Sequence, residues 1–158
     1  MSIHPRPWRP WPRQRAPSFV ADQLYQDAIV SLARAANGKG RLDAPDGSAT
    51  VDNPLCGDRV TVDVKMDGSR VAALGHLVRG CLLCEAAASV IGAHAKGATR
   101  AELTAAFETA KTMLKGTDAA APGWPEMDAF APVRAHRSRH SCVLLPFEAL
   151  TKALAAAE

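Results

Sequence analysis

The chain holds four cysteines, Cys56, Cys81, Cys84 and Cys142, and each stands among residues that suit a reactive or metal-binding site. In Asn53-Pro54-Leu55-Cys56-Gly57-Asp58 a carboxylate follows a thiol by two positions, with a glycine between, so both can approach one ion from a single turn. In Gly80-Cys81-Leu82-Leu83-Cys84 two thiols stand at i and i+3, on one face of a helix. The third segment is Arg139-His140-Ser141-Cys142. Sulfur ligands with one carboxylate or imidazole suit Zn²⁺ or iron in tetrahedral geometry. The candidate donors are the four thiols with Asp58 or His140 beside them. Cys84 is either a further thiolate in place of Asp58 or a buried helix residue, and His140 is the weaker candidate. A helix start at Cys81 supplies unpaired amides and a dipole that favour the thiolate.

Other chemistries compete. A free cysteine often packs as a small hydrophobe. Cys81 and Cys84 could form a thiol redox pair, but such a pair normally follows a buried parallel strand, and this one follows an apparent hairpin. A small structural zinc module would use two close cysteine pairs, whereas Cys56 and Cys142 stand alone in the sequence. Distant single ligands favour a more open site, assembled from three segments.

Those segments need a scaffold. Leu24, Ile29, Leu32 and Ala36 recur at helical spacing, so a first helix runs from about Asp22 to Ala36, stopped by Asn37-Gly38. Val60, Val62 and Val64 alternate with Thr61, Asp63 and Lys65 as a half-buried strand. Met66-Asp67-Gly68-Ser69 turns it back into a second strand from Arg70 to Val78, and residues 49–51 can add a third. Helices follow over Cys81–Ile91 and after the capping box Thr99-Arg-Ala-Glu102, whose stripe is Leu103, Phe107, Ala110 and Leu114. A short helix is expected over Glu126–Phe130 after a linker at 117–125, with Trp124 as a packing anchor, and a last helix from near Pro146. All four cysteines then sit at element junctions. The fold class is α+β, with a small antiparallel sheet of about three strands and helices packed on one face.

Residues 1–20 differ from the rest. They hold four arginines, no acid and five of the 11 prolines, so residues 1–20 read as a flexible tail, with Trp8 and Trp11 as surface anchors, and 21–158 as one domain. The remainder carries 15 basic and 16 acidic side chains, which argues against a nucleic-acid surface. No stretch of apolar residues is long enough to span a membrane, and residues 1–18 lack the apolar core expected of a secretory signal.

At the cysteine segments the chain resembles the U-type iron–sulfur cluster assembly scaffold family (IscU, SufU and the NifU N-terminal domain), closest to the SufU-like branch. Asn53 to Asp58 matches its Asn-Pro-x-Cys-Gly-Asp, Gly80 to Ser89 its cysteine-led helix entry, and Arg139 to Phe147 its Arg-x-x-Cys-x-x-Leu-Pro-Phe-type close. The resemblance covers about residues 22–154. It implies that Cys56, Asp58, Cys81 and Cys142 hold Zn²⁺ or a [2Fe–2S] cluster, with Asp58 as the zinc ligand of SufU-like members and the residue that keeps a bound cluster labile. It implies a scaffold or sulfur-transfer protein rather than a conventional enzyme. The implied partners are a SufS-like cysteine desulfurase and apo iron–sulfur acceptor proteins, with a cytoplasmic setting and a monomer or weak oligomer. Cys56, in its flexible loop, is the candidate persulfide acceptor. Departures are Leu77-Val78-Arg79 before Gly80, where the family often has a glycine-rich approach, and Cys84 where serine is common.

Overall fold

The hairpin around Asp67 organises the molecule. In the computed structural model, which describes residues 16–116 and 123–158, with side chains from residue 26 onward, three strands form one antiparallel sheet in the order β1-β2-β3. They are β1 (Gly47–Asn53), β2 (Asp58–Asp67) and β3 (Arg70–Arg79). Pairing of Asn53 with Asp58 closes the β1–β2 connection into a tight four-residue loop carrying Cys56. The period of two puts Asp58, Val60, Val62 and Val64 on one face of β2, and the three valines are buried.

That face is covered by helices. The helices are α1 (Ala16–Ala35), α2 (Leu82–His94), α3 (Arg100–Lys115) and α4 (Arg137–Ala156). α4 crosses β1 and β2, and α2 packs on α1 and on β3. Val143, Phe147 and Leu150 of α4 and Val90 and Ile91 of α2 join the β2 valines in one core. Each such side chain contributes about 1.5–3 kcal/mol when fully buried. α3 is bounded as its sequence demands: Thr99 and Glu102 form the reciprocal capping box, and Gly116 closes the helix at φ +78°. Trp124 stacks on His94 at 4.8 Å and on Phe147 at 6.1 Å, so it is the packing anchor its sequence suggested.

Two expectations need correction. The short helix over Glu126–Phe130 is a longer 3₁₀ segment, Pro125–Ala135. The last helix starts at Arg137, nine residues before Pro146, so Cys142 lies inside a helix and not in the loop ahead of one. Val143, Phe147, Leu150 and Leu154 form a buried stripe with helical spacing that runs straight past the proline. Pro146 cannot donate to the carbonyl four residues back, which belongs to Cys142. The thiol of Cys84 fills that vacancy at 3.0 Å. The first helix begins at Ala16, with Pro17 in its first turn, where a missing N–H costs nothing. The expected anchoring role of Trp8 and Trp11, and most of the linker, lie outside the described residues.

Candidate metal centre

The four cysteines and Asp58 gather at one end of the sheet, between the β1–β2 loop, the start of α2 and the second turn of α4. Sulfur and carboxylate atoms of Cys56, Asp58 and Cys142 lie within 4.8 Å of one another, and so do those of Asp58, Cys81 and Cys84. Asp58 is common to both groups. It is 4% exposed, and the strand's alternation aims it into the helical layer. The Cys81 backbone N–H, at the N-cap of α2, donates to its Oδ1 at 3.3 Å, so the carboxylate meets the positive end of the helix. Gly80 makes this approach possible. A Cβ there would stand 2.8–3.0 Å from the Asp58 carboxylate and Cβ.

Cys56 is held by a residue the sequence reading passed over. Asn53 Oδ1 accepts the Leu55 N–H at 3.1 Å, and this fixes the amide orientation. Its Nδ2 then donates to Cys56 Sγ at 3.2 Å and to Ser141 Oγ at 2.9 Å. Gly57, at φ +72°, completes the turn with its N–H on the Asn53 carbonyl. One buried asparagine thus shapes the loop, touches the sulfur and ties it to the helix turn that carries Cys142. The signal was the Asn-Pro pair three residues before the thiol. Leu55, at the loop tip, is 91% exposed, and Cys56 is exposed beside it.

The thiols are not equivalent. Hydrogen bonding with the Cys84 side chain pulls the Cys81 thiol down to about 6, against burial, which raises it. Cys84 is pushed far up by that same contact with Cys81, then by burial and the Asp58 charge. Its single proton has two oxygen acceptors in reach, the Cys142 carbonyl at 3.0 Å and Asp58 Oδ2 at 3.7 Å. Burial, then contact with Cys81, raises Cys142.

The donor set fits a thiophilic ion. The Sγ atoms of Cys56 and Cys142 are 3.8 Å apart. A tetrahedron with sulfur arms of about 2.3 Å has an edge of about 3.8 Å. Residues from three segments supply five donors for four positions; the Cys84 thiol is fully buried and already donates to the Cys142 carbonyl. His140 is turned elsewhere: its Nε2 lies 3.0 Å from the Val133 carbonyl and 3.2 Å from that of Arg134, at the end of the 3₁₀ segment.

This arrangement has counterparts. Residues 24–129 match the family described as "NifU-like N terminal domain". The zinc-dependent sulfurtransferase SufU of Bacillus subtilis is 29% identical over 142 residues, covering 87% of this chain and 93% of that protein. An iron-sulfur cluster assembly scaffold protein, IscU 1 of Archaeoglobus fulgidus, is 30% identical over 76 residues, 48% of this chain; the match spans half the length of that relative. The crystal structure of a NifU-like protein (N-terminal) from Brucella abortus superimposes with a TM-score of 0.80 at 36% identity, over 87% of this chain and 96% of that one. Three strands, a cysteine loop closing the first hairpin and a thiol at the next helix start are what this chain builds from its own sequence, and by that match it belongs to the NifU-like N-terminal domain family.

Proposed function

We propose that this protein accepts sulfur from a cysteine desulfurase of the SufS type and builds or relays a [2Fe–2S] cluster on Cys56, Cys81, Cys142 and Asp58. The observation that carries the reading is a pair of overlapping groups, Cys56–Asp58–Cys142 and Asp58–Cys81–Cys84, joined through Asp58. Zinc at this site would hold its sulfurs deprotonated and oriented. Cys56 is the first acceptor: its sulfur is exposed, and its loop protrudes at Leu55. Its thiolate attacks the outer sulfur of the desulfurase persulfide, and the desulfurase cysteine leaves as thiolate. Asn53 holds the accepting sulfur in place. Asp58 completes the donor set with an oxygen, which binds iron less covalently than thiolate does and eases release to apo acceptor proteins. The working unit is the domain from α1 onward, in a cytoplasmic setting where four free thiols stay reduced. Among the described residues no helix is long and apolar enough to cross a membrane.

The test is persulfide mapping after turnover with a desulfurase and cysteine, paired with iron, zinc and acid-labile sulfide content of anaerobically purified protein. The expected result is sulfur on Cys56 and either zinc or iron with sulfide. Label on Cys81 or Cys142 alone refutes the acceptor role of Cys56. Protein with neither metal nor transferable sulfur refutes the whole reading.

A further inference from the structure

The site holds one more thiol than it needs. Cys84 is fully buried, points at the Cys142 carbonyl and stands one helical turn behind Cys81. Cys81 is the N-cap of α2 and is partly exposed, and the two sulfurs lie within 4.8 Å. Residues at i and i+3 on a helix have Cβ atoms about 5–6 Å apart, so a small rotation at Cys81, outside the helix proper, brings them to disulfide distance. Cys56 lies in an exposed loop, whereas Cys84 is 0% exposed. A sulfur donor from outside therefore meets the outer sulfurs first.

We propose that Cys84 is a resolving thiol that discharges sulfur carried on Cys81 as sulfide. This rests on the sulfur-acceptor reading above and deepens it. Sulfur reaches Cys81 by exchange with a Cys56 persulfide: the outer sulfur bonds to Cys81 Sγ and Cys56 leaves as thiolate. Cys84 Sγ then attacks Cys81 Sγ while its proton passes to the departing outer sulfur, so no free buried thiolate is required. The Cys81–Cys84 bond forms, the bond to the outer sulfur breaks, and that sulfur leaves with the thiol proton as hydrogen sulfide. Across loading and release the sulfane sulfur gains two electrons, and the Cys81 and Cys84 thiols lose one each. The disulfide is returned to two thiols by a dithiol reductant. The protein would thus supply sulfide at the site where iron is bound, with the electrons drawn from its own thiol pair.

The experiment uses the full chain freed of metal under anaerobic conditions and loaded with inorganic polysulfide, without added reductant. Polysulfide loads thiols without a desulfurase, so a failure of the desulfurase step leaves this result readable. Wild type is expected to release sulfide and to yield a Cys81–Cys84-linked peptide by mass spectrometry. Cys84→Ser, whose hydroxyl can keep the bond to the Cys142 carbonyl, is expected to retain a persulfide on Cys81, with sulfide release reduced to the level of Cys81→Ser. A stable Cys81 persulfide in wild type overturns the proposal. So does equal release from Cys84→Ser, a Cys56–Cys142 link in place of the expected one, or no Cys81 persulfide in Cys84→Ser.

Discussion

Strand β2 carries two buried aspartates five residues apart, on opposite faces of the sheet. Asp63 is 0% exposed and saturated. Arg41 reaches it with two nitrogens at 2.6 and 3.1 Å, Ser48 donates at 2.6 Å, and the Leu42 N–H donates at 3.1 Å. Among the described residues Asp58 meets a 3.3 Å amide, a 3.7 Å thiol and the neighbouring Cys142 thiol, and no cationic side chain pairs with it. A carboxylate whose oxygens are fully matched within the chain belongs to the fold. One that is buried with loose contacts among sulfurs has capacity left for an ion.

The contrast predicts opposite phenotypes. Asp63→Ala leaves a guanidinium, a hydroxyl and an amide without their acceptor and is expected to cost about 3 kcal/mol in urea unfolding, from hydrogen bonds to a charged group. Zinc bound per folded chain should be unchanged; a drop there would dissolve the distinction. Asp58→Ala should do the reverse, weakening zinc binding by about 100-fold, at or beyond the range for outer-shell partners, while the metal-free protein unfolds within about 1 kcal/mol of wild type. Competition with a chelator dye reads the first number and urea the second. Gly80→Ala is a subtler probe, since its methyl would meet the Asp58 carboxylate. It should weaken zinc binding by about tenfold, the effect of displacing a ligand without removing it, and unaltered affinity would show that Asp58 is not held by this contact.

The smallest effect is in acid. Burial alone would raise the Asp63 carboxyl, but Arg41, Ser48 and the Leu42 amide outweigh it and hold it below the ordinary 3.8. Its contribution is therefore complete above that value and is lost as pH falls through the lower folded value. His76, lowered from 6.5 by burial, acts in the same direction at a higher pH, because its neutral ring is the form that packs. Stability should decline first below pH 6.5 and again below 3.8. In Asp63→Asn the lower step should shrink to what Glu126, also held below its ordinary 4.5, still contributes, and the upper one should remain.

How much of this could be read in the sequence depended on the range of each interaction. The hairpin, the Thr99 capping box and the Gly116 stop are local, and their residue types alone specify them. That the cysteine segments share one region was legible from the glycines, Asp58 and helix start around Cys56 and Cys81, whereas the place of Cys142 inside a helix was not. Pro146 misled, because a proline fits a helix start equally well, and only the stripe from Val143 to Leu154 contradicts that. The Arg41–Asp63 pair was hidden, and for Asn53 the Asn-Pro pair announced the turn but not its long-range bond. Asn53 acts through Ser141, 88 positions away, and no spacing rule joins them.

Pro146 has a consequence beyond the shape of its helix. It lies four residues from a sulfur, contributes no atom to the ion, and yet decides which group the Cys142 carbonyl may receive. Replacing it with alanine would return an amide to that oxygen and evict the inner thiol from its resting place. Retuning of the sulfur chemistry can therefore arise at a position that any inventory of ligands would pass over.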